Sequence, residues 1–269
     1  MKPTFTVLLP VHRSPVLLPF AVESALAQER EDFELLIVCD GAPEATVEYA
    51  RAAAQRDARI RVHAHPKGER HGELYRHQAL EKAEGSLVCG LADDDLWFPN
   101  HLAEMEKLLA EFEFGNLLHV AVRADGSIYE ALGDLAAPKM RAKMCKKKFN
   151  LFGITSAGFR LSTYHRLPVG WAPAPTDVWT DLHMWRKFLA LPGIACATRI
   201  AVTSLNFPTP HRQDWPLEKR RDEMKDWADR IKDPRARDQI AQQIFQRWAK
   251  ATLNWKRERA KIKAQQAAA

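Results

Sequence analysis

The chain predicts an α/β fold, a mostly parallel sheet flanked by helices, with a helical extension at the C-terminal end. Three observations carry that prediction. Short apolar runs alternate with helix-patterned segments through the first hundred residues. The runs are near-continuous in apolar residues, as strands covered on both faces are. Residues capable of chemistry, Asp40 and Asp93-Asp94-Asp95, fall directly after two of those runs, where sheets of this kind hold their ligands.

The elements follow in order. Phe5 to Leu9 is a first strand, closed by Pro10, and Pro19 to Gln28 a first helix with Phe20, Ala21, Ser24 and Ala25 on one side. Phe33 to Val38 is a second strand, Thr46 to Arg56 an Ala-rich helix, Ile60 to His63 a third strand and Glu73 to Ala83 a further helix. Leu87 to Leu91 is a fourth strand. His101 to Phe112 carries Leu102, Met105, Leu108 and Leu109 at helical spacing, which core packing explains. Leu117 to Val122, Phe152 to Leu161 and Cys196 to Leu205 read as strands, and Asp181 to Leu191 as a helix. Ala136 to Phe149 is basic with little periodicity and reads as a mobile loop. From Pro216 the composition turns to long charged helix, with Ile240, Ile244, Trp248, Thr252 and Trp255 on one stripe. Such an amphipathic tail suits packing on the main domain, on a second subunit as a homodimer, or peripherally on a membrane surface. The last six residues, Ala264 to Ala269, read as a frayed end.

Composition narrows the class. The 269 residues are 46% hydrophobic and 28% charged, ordinary values for a folded soluble domain. No apolar stretch approaches the ~20 residues that span a bilayer, and the apolar N-terminal run is broken too early by Pro10 for a signal peptide. Cys39, Cys89, Cys145 and Cys196 are scattered, with neither zinc nor disulfide spacing, so a reducing cytoplasmic setting is expected. The net charge of +6 is uneven: Lys139, Arg141, Lys143, Lys146, Lys147 and Lys148 form one dense stretch. A stretch of that kind meets phosphate-rich substrates or anionic lipid, or is simply a solvated face.

The acidic triplet is the sharpest motif. Adjacent carboxylates raise each other's pKa unless a positive group lies between them, and a hard divalent cation sharing its shell with substrate phosphates is the economical partner. An exposed acidic turn with Asp95 capping the next helix is the alternative.

Taken together the segments resemble the family-2 glycosyltransferases of GT-A fold. Val7-Leu8-Leu9-Pro10-Val11-His12 resembles that family's first strand, and Phe33 to Gly41 its "Phe-Glu…Val-Asp-Asp-Gly-Ser" segment, with Cys39 for the first Asp. Gly72 to Leu80 is similar to its "Gly…Ala-Arg-Asn…Ala-Leu" segment, with His77 for Asn, and Leu91 to Pro99 to its metal motif, with Ala92 in the leading Asp position. The resemblance covers residues 4 to 110 best.

It implies a 1–215 GT-A domain, with a nucleotide-binding half (1–110) and an acceptor-binding half (111–215), followed by a basic amphipathic helical tail (216–269). Pro10, Val11, His12 and Asp40 would line a nucleotide pocket, Asp40 accepting from the base, and Arg76 and Asp93 would sit at the diphosphate. Asp94, with Asp93 or Asp95, would hold Mg2+ or Mn2+, and His211 would complete the metal shell. Asp181, in Pro175 to Arg186, occupies the family's base position, with Asp177 in reserve.

The implied reaction is inverting, metal-dependent transfer of a sugar from a nucleotide-sugar donor, UDP-linked, to a carbohydrate hydroxyl in surface polysaccharide or glycoconjugate synthesis. It runs in the cytoplasm or at the inner face of the membrane, with a carbohydrate acceptor, lipid-linked or free, and no nucleic acid. A sugar-phosphate nucleotidyltransferase is the rival enzyme, but His12-Arg13-Ser14-Pro15 lacks the glycine-rich loop it wants. A non-catalytic nucleotide-binding scaffold is the rival outside enzymes.

Overall fold

A computed structural model describes residues 2–267, with side chains described as far as residue 250. The elements in chain order are β1 (Phe5–Val11), α1 (Leu18–Leu26), β2 (Phe33–Asp40), α2 (Glu44–Arg56), β3 (Ile60–His65), α3 (Glu73–Leu80), β4 (Leu87–Gly90), β5 (Leu96–Trp97) and α4 (His101–Glu111). There follow β6 (Phe114–Leu117), β7 (Val120–Val122), β8 (Ile128–Glu130), α5 (Pro138–Lys146), β9 (Ala157–Arg160), α6 (Leu161–Tyr164), α7 (Thr180–Leu189), β10 (Cys196–Arg199), β11 (Ser204–Leu205), α8 (Leu217–Arg230) and α9 (Pro234–Ala267).

Seven strands form the main sheet in the order β10-β6-β9-β4-β1-β2-β3. All its pairings are parallel except those of β9, which runs antiparallel between β4 and β6. β1 and β2 are paired from Phe5↔Phe33 to Val11↔Cys39, and all eight residues of β2 are buried. Period-two alternation therefore sorts their side chains between two cores rather than between core and water. Phe5, Val7, Leu9 and Val11 of β1, with Leu35, Ile37 and Cys39 of β2, meet α1, α2 and α4 on one face. Leu8, Leu36 and Val38 meet α3 and α7 on the other. Each fully buried aliphatic side chain contributes about 1.5–3 kcal/mol. Glu34, the acid near the start of β2, accepts at Oε1 from Thr6 Oγ1 at 2.7 Å and from the Glu84 and Gly85 amides, while Arg61 Nη1 lies 3.2 Å from its Oε2.

The chain runs β1 to β2 to β3 in one direction, then returns to place β4 on the other side of β1. That reversal opens a crevice beyond the carboxyl ends of β1 and β4, where a ligand meets loops diverging to both sides. The segments Pro10–Arg13 and Ala92–Asp95 both emerge there.

Several expectations need correcting. The basic stretch is no loop: Pro138 starts α5, and Met144 is its one fully buried side chain. One anchor in nine residues leaves almost no apolar period to read. The expected strand Leu117 to Val122 breaks at Leu118 and His119, so that Val120 onward can pair with β8. Cys196 to Leu205 likewise splits: β10 joins the main sheet, and β11 pairs antiparallel with β5. Phe152 to Leu161 narrows to a single 3₁₀ turn, Ile154–Ser156, and β9.

The chain divides into two compact units, Met1–Ala228 and Asp229–Ala269. Most of α8 belongs to the first. Its Arg220, Met224 and Trp227 are buried at helical spacing, and Glu223 pairs with the fully buried Arg212 at 2.5 and 2.6 Å. Arg212 also donates to the carbonyls of Val122 and Arg123, which ties α8 to β7. In the second unit Asp233 accepts the Arg235 amide at the start of α9. Ile240 and Ile244 of the expected stripe are buried and Phe245 is 39% exposed. Thr252, Trp255 and the side chains of the expected frayed end lie outside the described residues. No described helix is long and apolar enough to cross a membrane.

Candidate functional site

The crevice holds a cavity of about 120 Å³. Its lining brings together Pro10, Val11 and His12 from the end of β1, Asp40 from β2, Arg76 from α3, Asp93 and Asp94 after β4, and Asp181 from α7. Those are eight of the residues selected from sequence, drawn from five separate stretches of chain. Asp95 lines a wider neighbouring cavity of about 510 Å³, which shares Asp94. Asp177 and His211 are exposed and line neither.

Asp40 is 3% exposed. Its Oδ2 accepts from Lys67 Nζ at 2.5 Å and its Oδ1 from the Gly68 amide at 2.6 Å. Gly72 makes room for it. That residue sits at φ +69°, and a Cβ there would fall 2.6 Å from Asp40 Cβ and Cγ, so both the backbone conformation and the space call for glycine.

The three acids have separate surroundings. Asp94 Oδ2 accepts from Arg13 Nη1 at 2.7 Å, from Arg220 Nη2 at 2.8 Å and from Thr209 Oγ1 at 3.3 Å. Asp95 is turned into the protein, accepting from Thr155 Oγ1 and from the Phe207 amide at 2.8 Å. Asp93 Oδ2 lies 3.2 Å from Arg13 Nε yet has no hydrogen-bond partner, because the groups are close but misaligned. Burial first, and then the charge of Asp94, push both Asp93 and Asp95 above the usual carboxylate range. Burial alone would lower Arg13, but Asp94 and Asp93 more than offset it and hold the guanidinium charged.

Asp181, in the first turn of α7, accepts the Ile154 amide at 2.9 Å. Burial raises its pKa, with Arg76 and that amide opposing. Arg76 lies over the Trp171 ring at 4.9 Å and donates to the His71 carbonyl, while its Nε is buried without a partner. Thr180 Oγ1 donates to the buried Glu73 at 2.9 Å, which locks the start of α7 onto α3. Between the two cavities lies Gly153. A Cβ there would be 3.7 Å from Asp181 Oδ2, 3.8 Å from His119 Cε1 and 3.9 Å from Asn206 Oδ1. Burial lowers His119 to about 4, which keeps the ring neutral at physiological pH.

The donor set suits a hard divalent cation. Two neighbouring carboxylates, Asp93 and Asp94, face one cavity, and Asp93 has an orphaned buried oxygen and a pKa raised by burial and by the charge of Asp94. Arg13 and Arg220 supply part of the opposing charge. Among the described residues no three His, Cys, Asp or Glu side chains form a ligand cluster.

Sequence reasoning passed over Arg13 and Arg220. Arg13 had a signal, since it directly follows the strand-end segment Pro10 to His12. Arg220 had none: it lies between Lys219 and Arg221 in a charged helix, and only folding distinguishes the buried one from its exposed neighbours.

A model of glycosyl transferase family 2 matches residues 6–162, more than half of the chain. The chain belongs to that family. Among curated relatives, the succinoglycan biosynthesis protein ExoW of Rhizobium meliloti is 31% identical over 112 residues, 40% of this chain and 34% of its own. The glycosyltransferase EpsJ of Bacillus subtilis is 29% identical over 117 residues, 44% of this chain and 33% of its own. The chain thus spans about a third of the length of these relatives. Among solved structures, TarS of S. aureus in complex with UDP-GlcNAc superposes with a TM-score of 0.56 at 14% identity, covering 76% of this chain and 58% of that one. The mannosyltransferase PcManGT of Pyrobaculum calidifontis, in complex with GDP-Man and Mn2+, gives 0.55 at 19%, covering 77% and 57%. This family-2 glycosyltransferase therefore has the GT-A fold, an α/β architecture with a mostly parallel central sheet.

Proposed function

We propose that this family-2 glycosyltransferase transfers a sugar, with inversion, from a nucleoside diphosphate donor to a carbohydrate hydroxyl, in the building of a polysaccharide or glycoconjugate. The observation that carries the proposal is the convergence of Asp40, Arg13, Arg76, Asp93, Asp94 and Asp181 on one cavity at the sheet's switch point.

Asp40 accepts an N–H of the base, with Pro10, Val11 and His12 beside it. Lys67, its 54%-exposed partner, is the group that gives way. Arg13 and Arg76 take the diphosphate, because guanidinium groups match phosphate oxygens in charge and geometry. Asp93 and Asp94 hold Mg2+ or Mn2+, while Asp95 anchors the loop through Thr155 and Phe207. The cation, when bound, neutralises charge on the departing diphosphate. Asp181 is the base. The acceptor oxygen bonds to the anomeric carbon as the carbon–oxygen bond to the diphosphate breaks, the hydroxyl proton passes to Asp181, and the electron pair leaves with the diphosphate. A carboxylate raised by burial suits that duty near neutral pH. UDP sugars are the first donors to test, TarS having been solved with one.

The experiment is a thermal-shift screen of UDP and GDP sugars with Mn2+, followed by donor hydrolysis with and without EDTA. A donor-specific rise in melting temperature that EDTA abolishes is the expected result. Full activity in EDTA, or in Asp94→Ala, removes the cation from the reading. No stabilisation by any nucleotide sugar removes the donor site.

A further inference from the structure

The wider cavity beside Asp94 carries more information about what it receives than its position requires. We propose that the acceptor is an anionic carbohydrate, its ring stacked on Trp179 and its phosphate or carboxylate held by Lys148 and the lysines next to it. The proposal rests on the glycosyl-transfer reading above and names the substrate class of that site.

Trp179 comes first. Trp171 and Trp185 are 2% and 0% exposed, as large apolar side chains usually are, whereas Trp179 on the cavity lining is 52% exposed. A flat apolar ring with a polar edge, left open at a cavity, matches the C–H face of a sugar. On the same lining the Oδ1 of Asn150 is buried without a hydrogen-bond partner. An orphaned acceptor there is satisfied by a sugar hydroxyl.

The charge beside that ring is uncompensated. Lys148 Nζ lies 5.3 Å from the Trp179 ring centroid. Among the described residues none of Lys139, Lys143, Lys146, Lys147 and Lys148 has a carboxylate within 4.0 Å. Elsewhere on the surface Arg30, Arg59, Arg61, Arg166 and Arg199 are all ion-paired. No Asp or Glu occurs from Leu135 to Thr176, so the segment supplies no counter-charge of its own.

The lysines are also held where they are. Arg186 of α7 donates to the carbonyls of Met144 at 2.9 Å and Lys147 at 2.8 Å, pinning the end of α5 to the helix that Trp179 precedes. Asp94 and Asp95, on the same lining, are already answered by Arg13, Arg220, Thr155 and the Phe207 amide. A neutral acceptor would use the ring and the amide but leave the positive field without a purpose. A flat membrane surface would use the field but neither the cavity nor Asn150.

The test is calorimetry on the full chain with methyl glucoside, methyl glucuronide, glucose phosphate and inorganic phosphate, with UDP binding measured on the same samples. The charged sugars are expected to bind about three- to tenfold tighter than the glucoside at low salt, the margin shrinking as salt rises. The two charged sugars separate a carboxylate from a phosphate acceptor. Replacing the lysines (Lys146→Gln, Lys147→Gln, Lys148→Gln together) erases the margin and spares glucoside binding. Trp179→Ala weakens all three sugars alike, and Trp179→Phe restores most of the loss. Equal affinity for neutral and charged sugars, a margin that survives the lysine changes, or tight inorganic phosphate binding indifferent to Trp179 overturns the proposal. So does capture by anionic vesicles that Trp179→Ala leaves unchanged with no sugar preference. UDP binding that persists through such a failure leaves glycosyl transfer standing; its loss takes that reading down as well.

Discussion

The 120 Å³ cavity at the strand ends and the 510 Å³ cavity beside it share Asp94 and are otherwise built in opposite ways. The first takes its walls from residues 10–94 plus Ile154 and Asp181, and it is dominated by charge: Arg13, Asp40, Arg76, Asp93, Asp94 and Asp181. The second comes from residues 94–209 and is dominated by rings and amides, with Tyr129, Phe152, Trp179, Asn150 and Asn206 on its lining. The charged cavity lies at the carboxyl ends of the neighbouring parallel strands β4, β1 and β2, where the strand order reverses. The other is assembled from turns and short strands whose partners are far apart in sequence, such as β5 with β11. A phosphate-bearing donor needs fixed charge that the sheet positions cheaply. An acceptor surface can vary by loop without disturbing the sheet.

Four variants break or sharpen that contrast, in falling order of expected effect. Asp181→Asn should cut kcat by about 10²–10⁴ while UDP titration still shows binding. In the parent enzyme kcat/KM should fall as pH drops through the raised pKa of Asp181, because protonation removes the base, and that acid limb should vanish in the variant. Retained activity would move the base elsewhere. Arg220→Met should weaken donor affinity about ten- to a hundredfold, the scale of a lost hydrogen bond to a buried charge. A fall in melting temperature with unchanged donor KM would instead make Arg220 a structural neutraliser of Asp94.

Gly72→Ala forces a Cβ against Asp40 at a left-handed φ. It should raise donor KM about tenfold and cost at least ~1 kcal/mol of stability, with acceptor KM unmoved; an equal rise in both would erase the division between the cavities. Gly153→Ala meets only ordinary van der Waals distances at a φ of −84° that alanine accepts, so its melting temperature should hold. Its methyl group fills the space shared by Asp181, His119 and Asn206, and acceptor KM should rise several-fold, the scale of one methylene in a pocket. Unchanged kinetics would show that the acceptor does not pass Gly153.

The first cavity was the more legible because three of its segments are strand ends marked by an abrupt change from apolar run to polar residue. Asp40 follows seven residues of β2, and Asp93 follows the end of β4 by three positions. Arg220 carries no such mark, since burial of one cation among several on α8 depends on what lies opposite. The basic stretch misled for a related reason: with Met144 alone turned fully inward, α5 shows no stripe, though Pro138 at its first position was a start signal. His119 and Asn206 were invisible as site residues because the strand expected over Leu117 to Val122 and that over Cys196 to Leu205 each divide between sheets.

By itself the sequence determined the α/β class, the order of β1 to β4, the strand-end positions of Asp40 and Asp93–Asp95, and, through four ordered motifs, the family. Those are consequences of local pattern: buried parallel strands are continuous apolar runs, and their ends are where polar residues resume. Tertiary structure alone decided that Asp94 is shared by two cavities, that Asp95 turns inward to Thr155 and Phe207, that Arg220 reaches back from α8, and that Trp179 stands open beside unpaired lysines. Each of those depends on which surfaces meet across more than a hundred residues or between neighbouring layers. Such pairings arise from packing and charge balance in three dimensions, and no periodicity along the chain records them.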